Sequence, residues 1–403
     1  MEVLYSHCCG LDVHKKVVAA CVVTPTGKEI RSFGTMTRDL LQLGDWLAEQ
    51  KVTHVAMEST GSYWKPVYNL LEEMFTLILV NARDVKVVPG RKSDVKDAEW
   101  IADLLRHGLL RPSFVPARAE REMRELTRYR QSLVSERSAE VNRVQKVLEG
   151  ANIKLGSVVS DVMGKSALAM LDGLVRGEND AGVLAKYGDW RLKADVTEIE
   201  QALMGVVHPH QRFMLQRQLR HIRELNALIA EVEAEVATRQ APFVEARKNL
   251  MSIPGIGRRV AEVILSEIGA EVERFPTPGH LCSWAGLSPG LNESAGKRLS
   301  ARTAPGNRAV KVAMVQAAHA VSRTDSHLGA RYRRLKPRIG GQKTAVAVAR
   351  STLVAVHAVL KNKTPFIDLG GDYRKANPEE IARRHVQQLQ RLGYTVTIAN
   401  PAA

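Results

Sequence analysis

Four carboxylates, Asp12, Glu58, Asp94 and Asp97, have the type and setting to do chemistry together. Asp12 ends the apolar run LYSHCCGLD and Glu58 ends a second, THVAME, so both are expected at the ends of neighbouring strands. Asp94 and Asp97 lie in RKSDVKDAEWIADLL, whose apolar positions Val95, Ile101, Ala102 and Leu105 fit a helix, and residues three apart share a helix face. Such oxygen ligands suit a hard divalent cation, Mg²⁺ or Mn²⁺, and a pair of ions stabilises both the attacking and the leaving oxygen of a phosphodiester. Any one of these acids is ordinary, because strand ends and helix starts favour Asp and Glu. The weight lies in their order, strand, strand, helix, with Arg91, Lys92 and Lys96 rather than further acid around the last pair.

The elements that must position them are legible. Residues 4 to 35 alternate β-branched runs with turn signals, including the Pro25 to Gly27 turn, and read as a three-stranded antiparallel meander. A helix follows at about 38 to 50, then the strand THVAME, a helix near 64 to 74, the strand TLILV and the Asp94 helix. That order is the one a ribonuclease-H-like domain uses, with acids at the ends of central strands and on a late helix.

At 403 residues the chain has length for two or three domains. Its net charge of +15, from 58 Lys and Arg against 43 Asp and Glu, makes nucleic acid the expected partner. A membrane is not expected: no apolar run approaches the roughly 20 residues that span a bilayer, and MEVLYSHCCGLDVHKK lacks a signal-peptide layout, so the expected location is the cytoplasm. Cys8, Cys9, Cys21 and Cys282 lack zinc-site spacing and a disulfide pattern, and the three on expected strands read as small core residues.

Further along, residues 117 to about 149 carry Met123, Leu126, Leu133, Val141, Val144 and Leu148 in a highly charged stretch, which fits a long amphipathic helix. A second covers about 211 to 238, where Ile222, Leu225, Ile229, Val232 and Val236 alternate three and four apart, the coiled-coil spacing. The two can pair with each other as an antiparallel hairpin or with another protomer. Between them, 151 to 210 reads as short helices and loops without evident chemistry. LMSIPGIGRRVAEVILSEIG then has the form of a helix-hairpin-helix: Gly255 and Gly257 open a helix whose N-terminal amides can meet a phosphate, with Arg258 and Arg259 adding charge. Beyond a turn-rich polar stretch comes a clear helix from about Arg308, and then a basic helical region with Arg331, Arg333, Arg334, Lys336, Arg338 and Lys343. The last thirty or so residues are expected to be loosely ordered.

The segments GLDVHKK, MESTG, KSDVKDAEWIADLLRHGLL, IPGIG and WAGLSPGLNESAGK, in this order from about residue 8 to 350, closely resemble the DEDD transposases of the insertion sequence 110 family. The resemblance implies an N-terminal RuvC-like nuclease domain with Asp12, Glu58, Asp94 and Asp97 as its metal-binding tetrad. It also implies a C-terminal transposase domain with a nucleophilic serine, and a bridge RNA that pairs with donor and target DNA. The serine falls on Ser294, with Ser288 and Ser300 as nearby competitors. Ser294 directly precedes Ala295 and Gly296, where small residues let a phosphate approach the backbone, and Lys297 can balance developing charge. Arg302 and Arg308 are further phosphate-binding candidates.

The fold expected is α/β plus α: a RuvC-like domain over 1–116, a helical coiled-coil region over 117–240, a mainly helical transposase domain over 241–366 and a charged tail over 367–403. The expected function is that of a bacterial insertion-sequence transposase, a homo-oligomer acting on donor and target DNA and associated with the nucleoid when bound. Its site is expected to be composite, with the seam from Ile222 to Val236 as the self-association surface. Two rivals are a Holliday-junction-resolvase-like metal-dependent endonuclease, which has no need of the serine, and a non-catalytic DNA-architectural protein, which has no need of the tetrad. A sugar-kinase-like use of the fold is disfavoured, since Val-His-Lys rather than a Gly-rich phosphate loop follows Asp12.

Overall fold

The computed structural model describes residues 2–59, 61–81, 97–189, 192–290, 292–294, 297–300, 302–371 and 378–397. Asp94 and Val95 lie outside the described residues. The chain divides into two units, Met1–Val115 and Pro116–Ala403.

In the first unit, β1 (Cys8–Val13), β2 (Val17–Thr24) and β3 (Gly27–Gly34) form the antiparallel meander, followed by α1 (Thr37–Glu49), β4 (His54–Glu58), α2 (Trp64–Leu71), β5 (Thr76–Val80) and α3 (Asp97–Arg106). The strand order is β3-β2-β1-β4-β5, with β4 parallel to β1 and β5 parallel to β4. Successive strand residues point to opposite faces, and β1 is apolar on both. Cys9, Leu11 and Val13 pack with residues such as Leu43, Trp46 and Leu71 of α1 and α2. Cys8, Cys21 and Ala56 instead meet Ala98, Ile101, Ala102 and Leu105 of α3. This is a mixed sheet with a helix layer on each face, consistent with a ribonuclease-H-like domain.

In the second unit, α4 (Arg118–Gly150) and α9 (Pro209–Arg239) pack together antiparallel. Leu133 meets Leu225 and Ile229, and polar contacts run up the pair: Arg239 donates to Glu122 at 2.7 Å near one end, and Arg137 to Asn226 at 2.6 Å further along. The seam residues Ile222, Leu225, Ile229 and Val236 are buried within the chain itself, so they do not offer the surface expected for self-association. The segment between the two helices folds into α5 (Leu155–Val158), α6 (Lys165–Arg176), α7 (Ala181–Ala185) and α8 (Val196–Leu203). Their apolar faces share a core with Val144 and Leu148 of α4 and Leu215 and Leu219 of α9.

The remainder comprises α10 (Val244–Met251), α11 (Arg258–Ile268), α12 (Pro278–Trp284), the two-stranded β6 (Asn292–Ser294) and β7 (Lys297–Ser300), α13 (Arg308–Val321), α14 (His327–Ile339) and α15 (Gly341–Asn362). Contrary to the sequence reading, α15 is long and apolar enough to cross a membrane by length and composition. It packs against α12, α13 and α14 as a core helix, with Val348, Leu353 and Val356 fully buried. The C-terminal stretch expected to be loose contains a helix, α16 (Pro378–Arg391), with Arg391 in its last turn, where positive charge favours a helix end.

Candidate active site

Asp12 and Glu58 are brought together by strand register. Leu11 pairs with Met57 across the parallel β1–β4 contact, and the next residue on each strand is the acid. Leu11 and Met57 face the α1–α2 layer, so by alternation Asp12 and Glu58 face the side that α3 covers. Gly10 permits close packing of that helix: a Cβ there would overlap the carbonyl of Ala98 and the amide of Ala102. α3 therefore lies against β1 backbone, and Asp97, its first residue, sits within electrostatic reach of Asp12.

The electrostatics record this convergence. Burial raises the Asp12 carboxyl above its ordinary value; His14, whose Nε2 lies 3.0 Å from Asp12 Oδ2, pulls it down; the negative charges of Asp97 and Glu58 push it up again. Three acids thus share one end of the sheet, and a cation there would relieve both the burial cost and the repulsion. The donor set is all oxygen, which fits a hard divalent ion. Among the described residues, no three His, Cys, Asp or Glu side chains close into a ligand cluster, and Asp94 lies outside them.

Ser294 ends β6 and pairs with Lys297, the first residue of β7; Ala295 and Gly296 between them lie outside the described residues. The ladder is extended below by a Pro289–Thr303 bridge and by the Gly290 amide donating to the Arg302 carbonyl at 2.9 Å, which puts the exposed Arg302 at the hairpin base. Of the competitors, Ser300, the last residue of β7, pairs with Asn292 of β6, and Ser288 accepts a hydrogen bond from Ser283 at 3.2 Å. The sequence reading saw a turn-rich stretch here. These strands are short and polar, so no apolar alternation marked them.

Gly255 and Gly257 lie in the turn between α10 and α11. Gly255 has φ +85°, and a Cβ there would come within 2.5 Å of the Ala317 carbonyl of α13, so the residue serves backbone conformation and close packing at once. Gly257 caps α11 with open space beside it. Arg258 donates to Glu262 at 2.8 Å and Arg259 to Glu233 at 2.5 Å. Arg308 is exposed in the first turn of α13.

Sequence reasoning missed an arginine–carboxylate cluster in this unit. Glu267, fully buried, accepts two hydrogen bonds from Arg128 at 2.7 and 3.0 Å and one from Asn307 at 2.7 Å, while Arg124 Nε lies 3.0 Å from it. Glu262, also buried, takes Arg130 at 2.5 Å as well as Arg258. The available signal was two glutamates within the apolar helix RVAEVILSEI, where charge demands partners.

Residues 9–153 match a family model for DEDD transposases of the IS110 type, described as a transposase, and residues 247–333 match one described as the transposase IS116/IS110/IS902 family. The chain is also 27% identical over 319 residues to an insertion element IS110 uncharacterized 43.6 kDa protein of Streptomyces coelicolor, an overlap covering 71% of this chain and 75% of that protein.

Proposed function

The chain belongs to the IS110 family of transposases, and we propose that it exchanges DNA strands by using Asp12, Glu58, Asp94 and Asp97 as a metal-binding tetrad and Ser294 as a nucleophile. The observation that carries the tetrad is the convergence of Asp12, Glu58 and Asp97 toward one end of the sheet, where burial first, and then the charges of Asp97 and Glu58, raise the Asp12 carboxyl against the pull of His14. A divalent cation held by the tetrad, Mg²⁺ or Mn²⁺, supplies Lewis-acid stabilisation of charge on the phosphate. His14 orients Asp12, and Gly10 lets α3 approach.

In the proposed step, Ser294 Oγ loses its proton and forms a bond to phosphorus while the bond to the 3′ oxygen breaks, leaving a 3′ hydroxyl and a phosphoserine. Attack by a 3′ hydroxyl of another strand reverses these changes and reseals the backbone, so bond energy is conserved. Ser294 is supported by its place opposite Lys297 in a hairpin with Arg302 at its base, and by the small residues that follow it. Gly255 and Gly257, opening α11 in helix-hairpin-helix fashion, and Lys297, Arg302 and Arg308 are proposed contacts to phosphates. The excess of positive charge supports a guide RNA as a second nucleic acid beside donor and target DNA, and the protein is proposed to act as a homo-oligomer in the cytoplasm.

The test uses the full chain with Mg²⁺, element-end and target DNA and RNA transcribed from beside the gene. A protein–DNA adduct that survives denaturation is expected for the parent, for Ser288→Ala and for Ser300→Ala, and is lost in Ser294→Ala. Asp12→Asn, Glu58→Gln, Asp94→Asn and Asp97→Asn are each expected to abolish cleavage with the fold intact. Cleavage at parental rates in all four would refute the tetrad, and an adduct surviving in Ser294→Ala would refute the serine.

A further inference from the structure

The second unit contains a cleft of about 850 Å³ bounded by α4, α11 and the start of α13. Its apolar floor is formed by the partly buried Val134, Val260 and Val263, and its exposed rim carries Arg128, Arg259 and Arg308 together with Val312, while Arg130, also in the lining, is itself buried. No Asp or Glu lines it among the described residues.

The rim is more positive than its ion pairs neutralise. Glu267 is shared by Arg124 and Arg128, and Glu262 by Arg130 and Arg258, so each buried carboxylate balances one guanidinium of two. Arg259 pairs with Glu233, and Arg308 has no carboxylate partner among the described residues. Arg124, outside the lining, has its guanidinium pKa lowered by burial first and also by the charges of Arg128 and Arg121, against the pull of Glu267 and Glu120. Glu267 and Glu262, with no more than 2% of their surface exposed, act as anchors. They hold Arg128 and Arg130 in place before any ligand arrives, which removes part of the ordering cost of binding.

We propose that this cleft holds an unpaired stretch of nucleic acid, with phosphates on the Arg128 and Arg308 rim and a base against the valine floor. Planar guanidinium groups match phosphate oxygens with paired N–H donors and can also stack on an exposed base. The volume lies in the range that encloses a small ligand, which suits roughly one or two nucleotides and excludes a paired, stacked duplex. Location supports the same occupant: Asn307 caps α13 through the Val310 amide at 3.0 Å, donates to Glu267 and lines the cleft, a few residues beyond the hairpin that bears Ser294. The cleft's residues 306–316 thus follow the proposed nucleophile's hairpin directly along the chain. The inference rests on the reading that the chain handles nucleic acid, and it does not depend on the tetrad or on the serine.

The decisive experiment is photocrosslinking of the intact parent protein to short oligonucleotides carrying 4-thiothymidine or 4-thiouridine, with the attached peptides identified by mass spectrometry. Crosslinks are expected within residues 127–135 or 306–316, and the better-bound sugar tells whether DNA or RNA is the occupant. In parallel, Ala309→Trp, which fills the cleft without changing charge, is expected to weaken binding of the unpaired oligonucleotide about tenfold while leaving duplex affinity within about twofold. Arg308→Ala is expected to lower the salt dependence of single-strand binding by about 0.7 in log–log slope. Crosslinks confined to other regions would overturn the proposal even where Ala309→Trp fails to fold, as would equal losses for single strands and duplex in a folded variant. Asp12→Asn and Ser294→Ala proteins are expected to crosslink as the parent does, so failure of the strand-exchange chemistry and failure of the cleft give different results.

Discussion

Asp12 is held against its own chemistry. Its carboxyl is mostly buried and faces two further acids, so the folded state binds its proton more tightly than the unfolded state does. A group raised in this way lowers stability as pH rises from its ordinary value of 3.8 through its folded value, and the full cost persists at neutral pH. Asp12→Asn is therefore expected to melt higher than the parent at pH 7 in chelator, while losing cleavage, and the gain is expected to vanish below the ordinary carboxylate range. Each unit of raised pKa is worth about 1.4 kcal/mol. Thermal melts across pH 3 to 8 measure this; a variant less stable than the parent at neutral pH would show that Asp12 is not repelled. At this scale the sequence was informative about Asp12 and Glu58, because acids that end apolar runs stand out against their context, and about Asp97 through the apolar spacing of the helix it opens. It was silent about His14, which reads as one polar residue in VHKK, and about Glu267, whose partners come from residues 139 or more positions earlier in the chain and from 40 positions later.

At the scale of elements, two contacts decide geometry. The first is α3 on β1 through Gly10. Gly10→Val has no space for its side chain unless the helix moves off the sheet, which would separate Asp97 from Asp12. Overpacking of this kind costs about 1–3 kcal/mol, and displacement of a catalytic group by about 1 Å costs on the order of 10²-fold in rate. The variant is expected to remain folded by circular dichroism and to cleave DNA at least that much more slowly; near-parental cleavage would mean the helix need not sit so close. The second is the clasp of α4, α11 and α13 on Glu267. Removing the carboxylate by Glu267→Ala leaves Arg124 and Arg128 without their counter-charge and is expected to cost about 3–5 kcal/mol, read as a lowered denaturant midpoint. Periodicity revealed the strands and the long helices, since their apolar residues repeat at strand and helix spacing. It could not reveal β6 and β7, which are short and polar, nor choose between the two partners open to the Ile222–Val236 seam, since the same spacing serves either.

At the scale of the whole molecule, a nuclease-like sheet unit and a helical unit occur in one strongly basic chain, each with its own core. The order of elements was legible through the sheet unit and the long helices but not at β6, β7 and α16, and the resemblance that ran through both halves agrees with the two family matches at 9–153 and 247–333. What escaped was the role of charge inside the second unit. Composition counts the arginines but cannot tell which of them are tied to buried glutamates, and Arg128 and Arg130 are both so tied and part of the cleft lining.

The antiparallel pair α4 and α9 also bears on how the chain finds its fold. Arg124 and Glu267 are 143 residues apart in sequence, a long loop to close from the unfolded chain. The excursion from α4 to α9 is built from local steps, a compact bundle of short helices and then a zipper that runs back to the Glu122–Arg239 contact. Once that zipper has closed, only about 30 residues separate the two partners along the shortest path, which lowers the entropic cost of bringing them together by about 1.4 kcal/mol. The arm thus acts as a splice: in any route where it closes before the arginine cluster, that cluster, distant in sequence, becomes a nearly local contact.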